Sequence, residues 1–133
     1  MIARVFVLND RTAPIEDTVK ILLRAGCFVL KGGPGIDPFL AALEFKPHLI
    51  VACANRMNGR SLRGAALLSR TLGTPALVLS DLEPFEVQAA LAEADGLSSI
   101  HLGSRPGKAA LVDAMNELIH MPAMSPLQSS HAL

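Results

Sequence analysis

Pro47-His48-Leu49-Ile50-Val51-Ala52-Cys53 carries the pattern from which the fold class follows. From His48 to Ala52 the residues form a nearly unbroken apolar run instead of an alternation of apolar and polar side chains. A strand with one wet face alternates, whereas a strand covered on both faces does not, so this run predicts a buried strand of a parallel sheet. Four more runs of strand length flank it: Arg4–Leu8, Cys27–Leu30, Ala76–Leu79 and Ser98–Leu102.

Helical periodicity fills the gaps between these runs. Ile15, Val19, Leu22 and Leu23 form a stripe, with Thr12 as its N-cap, Pro14 in its first turn and Gly26 as its stop. Asp37 before Pro38 is an N-cap followed by a first-turn proline, opening a short helix that carries Phe39, Leu40 and Leu43 and that Pro47 ends. Ser61–Leu72 presents Leu62, Ala65, Ala66 and Leu68 to the sheet and stops at Gly73. Pro84 starts a fourth helix with Val87, Ala90 and Leu91, closed by Asp95-Gly96. After Pro106, Leu111, Met115, Leu118 and Ile119 give the spacing of a face laid on a sheet.

Strand and helix thus alternate through the chain, which predicts an α/β architecture: a flavodoxin-like (βα)5 doubly wound parallel sheet of strand order 2-1-3-4-5. The domain is expected to span residues 1–120, followed by a mobile tail over 121–133 containing proline and serine. In such sheets ligands gather beyond the carboxyl ends of the strands. There the sequence places Asn9, Asp10, Cys53, Ala54, Asn55, Ser80, Asp81, Ser104 and Arg105.

Twelve basic residues balance twelve acidic ones, so no overall field draws the chain to nucleic acid or to an anionic membrane. The apolar runs are shorter than a membrane span, and the N-terminus lacks the layout of a signal peptide, which predicts a cytoplasmic protein. Cys27 and Cys53 have neither CxxC spacing nor a paired histidine, so no metal or other cofactor is expected, and the two thiols are expected reduced and unlinked. Lys31-Gly32-Gly33-Pro34-Gly35 lacks the Gly-Lys-Ser/Thr ending of a phosphate loop and reads as a turn.

VFVLND (Val5–Asp10), PHLIVAC (Pro47–Cys53), the Asn58-Gly59 turn, TPALVLS (Thr74–Ser80) and Arg105-Pro106 follow one another in an order and spacing that resemble the response-regulator receiver family, over Ala3 to Ile119. By that resemblance Val5–Asp10 ends where the family has an acidic pair, Cys53 stands at the phospho-acceptor aspartate, Ser80 at the terminal hydroxyl of the fourth strand, and Arg105 at a lysine. Receivers need several carboxylates because Mg²⁺ takes oxygen ligands while it holds the phosphoryl group. This chain retains Asp10 of the pair, with Asn9 beside it, and the loop Ala54–Gly59 is shorter than the family's. Arg105 has a planar fork where lysine has a point charge.

The resemblance therefore implies a pseudo-receiver without catalytic activity, regulated by a protein partner or output domain. In receivers the fourth helix, fifth strand and fifth helix form the docking face, which maps to Val87, Leu91, Leu102, Lys108 and Val112, with a homodimer expected. A second reading is an effector-binding domain that uses the emptied pocket, with Arg11, Asn55, Arg56 and Arg105 as its anion-binding side chains. Cys53 has two readings as well. It is a small apolar filler, or, near Arg56 and Arg105, a thiol of lowered pKa open to redox or nucleophilic chemistry.

Overall fold

The structure, a computed structural model, describes residues 3–10, 15–32, 37–55, 60–92 and 98–120. Five strands, β1 (Arg4–Asn9), β2 (Phe28–Lys31), β3 (Leu49–Ala54), β4 (Ala76–Ser80) and β5 (Ser99–Leu102), alternate with five helices. These are α1 (Glu16–Arg24), α2 (Pro38–Phe45), α3 (Arg60–Leu72), α4 (Pro84–Ala90) and α5 (Lys108–Ile119). The sheet is parallel throughout, in the order β2-β1-β3-β4-β5, as the apolar runs predict. Every residue of β3 and β4 is buried, while β2 and β5, at the edges, are only partly covered.

Alternation along the central strands divides the core into two layers. Val5, Val7, Leu49, Val51, Leu77 and Leu79 face α1 and α5. Phe6, Leu8, Ile50 and Ala52 pack on α2 and α3, and Val78 meets α3 and α4 through Leu62 and Val87. Each aliphatic side chain buried this way contributes about 1.5–3 kcal/mol of transfer free energy, so the two layers together supply the drive that holds the helices on the sheet.

The helix ends follow local chemistry. Asp37 accepts a hydrogen bond from Phe39 N (2.9 Å), the expected cap of α2. Gly26 has φ +89°, and the amides of Gly26 and Cys27 donate to Leu23 O and Leu22 O, a Schellman closure that a Cβ would strain. Gly73, at φ +67°, ends α3. Lys46 takes the left-handed conformation at the end of α2, where Arg4 Nε donates to both Phe45 O and Lys46 O at 2.9 Å.

Three expectations need correction. The helix α1 starts at Glu16 with Ile15 in the cap position expected for Thr12; Thr12 and Pro14 lie outside the described residues. Leu23 faces solvent, and Thr18 takes the buried place beside Leu22. On α2, Leu40 and Leu43 are exposed, and Ala42, Phe39 and Phe45 make the core contact. The helix is nearly all apolar, so its sequence has no stripe to read; the strand beneath selects the face. Asp95-Gly96, Asn58-Gly59, Gly33–Gly35 and the 121–133 segment also lie outside the described residues.

Candidate functional site

Strand register sets the frame of the site. Asn9 pairs with Cys53 and Ala54 with Ser80, so the ends of β1, β3 and β4 stand side by side. Asp10 N donates to Cys53 O (2.9 Å), extending the ladder one residue past β1. That bond carries the Asp10 side chain over the β3–α3 connection. There Oδ2 accepts from Asn55 N (2.9 Å) and Oδ1 from Ser61 N (3.1 Å), in the first turn of α3. The carboxylate acts as an N-cap supplied from another strand, satisfying a helix-terminal amide and complementing the positive end of the helix. Asn9 Nδ2 donates to Asp10 O (3.1 Å), bracing the same turn.

Cys53 lies against this carboxylate and is only 2 % exposed. Burial first, and then the negative charge of Asp10, push its thiol up to about 12. Of the two readings of Cys53 this favours the small apolar filler over the lowered-pKa thiol: the protonated, weakly polar form belongs in this place. Cys27, at the other end of the sheet, is free as well, and burial pushes its thiol up too.

The β4 and β5 ends are built differently. Ser80 is buried, and its Oγ accepts from Leu82 N (3.0 Å), closing a turn over the end of β4. His101 Nε2 lies 3.0 Å from Ser80 O and ties β5 to that turn. Asp81 is exposed; its Oδ1 accepts from Ser104 N (3.0 Å) and its Oδ2 from Ser104 Oγ (2.6 Å). These two bonds chiefly hold the Asp81 carboxyl below its ordinary value, with Arg105 and His101 adding weaker attractions. Between the strand ends lies a cleft of about 720 Å³ lined by Cys53, Ala54, Asn55, Leu79, Asp81, Leu82, Gly103, Ser104 and Arg105.

The residues expected at the strand ends are thus brought together in two groups: Asn9, Asp10, Cys53, Ala54 and Asn55 around the β3–α3 connection, and Ser80, Asp81, Ser104 and Arg105 around the other two. Arg11 and Arg56 lie outside the described residues. Among the described residues no three His, Cys, Asp or Glu side chains converge to hold a metal ion, and no helix is long and apolar enough to cross a membrane. Sequence reasoning missed His101 and Ser61. Both make contacts with residues distant in the chain, and His101 carries no local motif.

The expected docking face is corrected at one position. Val87 is buried in the core with Leu62 and Val78, on the side of α4 that also packs Ala90 and Leu91 toward that cluster. Leu91, Leu102 and Val112 are half-buried and Lys108 is exposed. Phe85, unpredicted, stands 71 % exposed on the same helix.

No protein-family model matches the chain, and no curated protein matches it. Among solved structures, the crystal structure of a response regulator (signal receiver domain) from Bermanella marisrubri is similar over 90 % of this chain and 100 % of that one, with a TM-score of 0.69 and 21 % identity. What the two share at that identity is the backbone arrangement: this chain has the flavodoxin-like fold of a receiver domain.

Proposed function

We propose that the chain is a pseudo-receiver, a regulatory module of two-component-type signalling that works by protein–protein contact and not by aspartyl phosphorylation. The carrying observation is the pairing of Cys53 with Asp10. Phosphoryl transfer to a receiver requires a carboxylate nucleophile and a Mg²⁺ held by further oxygen ligands. At the acceptor position stands a buried thiol that stays protonated, and each oxygen of the neighbouring carboxylate already accepts a backbone amide.

A protein partner or output domain docks on the face made by α4, β5 and α5, with Phe85, Leu91, Leu102 and Val112 as its apolar contacts and Lys108 at its rim. The same face supports a homodimer. A balanced charge supports protein over nucleic acid as partner, and the two free thiols suit the cytoplasm. The domain has no catalytic activity in this reading.

Incubation with acetyl phosphate and Mg²⁺, followed by intact-mass measurement, tests it. No mass gain is expected. A hydroxylamine-labile gain of one phosphoryl group would overturn the proposal. Light scattering is expected to show a concentrated solution to be dimeric, and Phe85→Glu to return it to monomer; a wild-type monomer at all concentrations would remove the homodimer.

A further inference from the structure

The start of the sheet, at the other end of the strands from the cleft, holds a contact that one proton would undo. Arg4 and His48 stand one residue before the β1–β3 register begins at Val5 and Leu49. His48 N donates to Arg4 O (2.8 Å), and Arg4 N donates to His48 Nδ1 (2.9 Å). A backbone N–H can only donate, so Nδ1 offers its lone pair and the proton of the neutral ring sits on Nε2. The imidazole thus supplies an acceptor where the strand ladder has not yet begun, and it does so only while it is uncharged.

The Arg4 side chain ties a second element to the same corner. Its Nε donates to Phe45 O and Lys46 O, filling carbonyls that the last turn of α2 leaves open, and Phe45 packs on the layer that contains Phe6. A proton added at Nδ1 removes the acceptor of Arg4 N and sets a second cation beside the guanidinium. The charged side chains at this end of the adjoining elements are Arg4 on β1, Lys46 in the α2–β3 connection, Glu44 on α2 and Arg70 on α3, the last three exposed. Burial first, and then the charge of Arg4, hold the His48 ring below its ordinary value of 6.5, and Glu44 does not offset them.

We propose that Arg4 and His48 form an acid-released latch: protonation of His48 frees the start of β1 and the last turn of α2 from the start of β3, while the rest of the sheet stays paired. Because the folded ring resists the proton, the unfolded chain takes it first. Stability is therefore full above 6.5, falls as pH falls through the window between 6.5 and the lower folded value, and levels off beneath it. The bonds at stake lie at the margin of the sheet, where local opening precedes global unfolding. Across the sheet from α4, β5 and α5, the latch gives the domain a response to acid that does not pass through a docked partner.

NMR on the full chain tests it, with the His48 ring nitrogens and the backbone amides followed from about pH 7.5 to about pH 5, across the histidine range. The ring is expected as the Nε2–H tautomer at the upper pH, with a titration midpoint below that of free histidine. The hydrogen-exchange protection factor of the Arg4 amide should fall about 10-fold over the titration, the loss of one hydrogen bond, while amides in the middle of β3 keep theirs. His48→Asn, whose Oδ1 accepts the same bond without titrating, should hold Arg4 protection constant with pH, and Arg4→Gln should raise the His48 midpoint. An Nδ1–H tautomer, a wild-type midpoint at or above that of free histidine, or Arg4 protection that does not follow the His48 titration would overturn the proposal, and these wild-type measurements decide it without the variants. An equal acid loss of Arg4 protection in His48→Asn would overturn it as well.

Discussion

The two halves of the strand-end rim use one residue type in opposite ways. In the β1–β3 half, Asp10 is buried and binds backbone amides of the connection it faces, and Cys53 is buried at the base of the cleft. In the β4–β5 half, Asp81 is exposed, is held by a single serine, and borders an open cleft. The difference teaches that a carboxylate at a strand end is not itself a sign of chemistry. Where the lone pairs are filled by backbone amides from a distant connection, the group is a clamp. Where they are filled by a neighbouring loop at the surface, it remains available.

The sharpest way to break this contrast is to place a second carboxylate in the closed half. Cys53→Asp should destabilise the fold by about 2–4 kcal/mol at neutral pH, because it buries a charge beside Asp10. Burial and like charge would raise the new carboxyl's pKa, so the penalty is full above that raised value. It shrinks as pH falls through it and vanishes below the ordinary carboxyl value; urea denaturation at several pH values reads this. The variant should still take no phosphoryl group from acetyl phosphate, since Asp10 stays bound to its amides.

Removing the clamp comes next. Asp10→Ala leaves two backbone amides without their acceptor and should lose about 3 kcal/mol, with Asp10→Asn intermediate, by the same denaturation. Hydrogen exchange should localise the change to the amides of Asn55 and Ser61. Unchanged protection there would mean that the clamp is not what holds α3.

Thiol reactivity provides a sharper comparison without any mutation. With burial and Asp10 pushing the Cys53 thiol up to about 12, the reactive thiolate is scarce at pH 7. Iodoacetamide should therefore label the native protein only at the rate of unfolding, and the denatured protein rapidly. Fast native labelling at Cys53, seen by peptide mapping, would reopen the redox reading.

The smallest effect belongs to the open half. The Asp81 carboxyl is held below its ordinary value, so it adds stability that is present above the unfolded pKa and is lost as pH falls through the folded one. Asp81→Asn should remove only that acid-side slope and leave the neutral-pH fold nearly unchanged. Thermal unfolding between pH 3 and 7, about the carboxyl range, would show it. A loss as large as that of Asp10→Ala would erase the distinction between the two halves.

Much of the fold is legible in one pass along the chain. The unbroken apolar runs mark strands covered on both sides, and Asp37, Gly26 and Gly73 mark helix ends through chemistry confined to a few neighbours. Leu23, Leu40 and Leu43 are misread because an apolar residue on a short helix reveals burial only when the strand below is known. Val87 is misassigned for the related reason that homologous placement on a helix does not say which side chain points down. The site shows the same division. That Cys53 and Asn9 replace acidic residues by resemblance is visible in the letters, but the direction of the Cys53 pKa is not.

Periodicity, capping and crossover geometry are local or topological, so the letters alone carry the succession of strands and helices, their order in a parallel sheet, and which residue types arrive at the strand ends. What those residues do there depends on the folded chain. Asp10 meets its amide donors 45 and 51 positions further along the chain, and Asp81 meets Ser104 across 23. Filling a lone pair and excluding water are both matters of such distant contacts, and on them depend the protonated thiol at Cys53, the clamp at Asp10 and the open cleft beside Arg105.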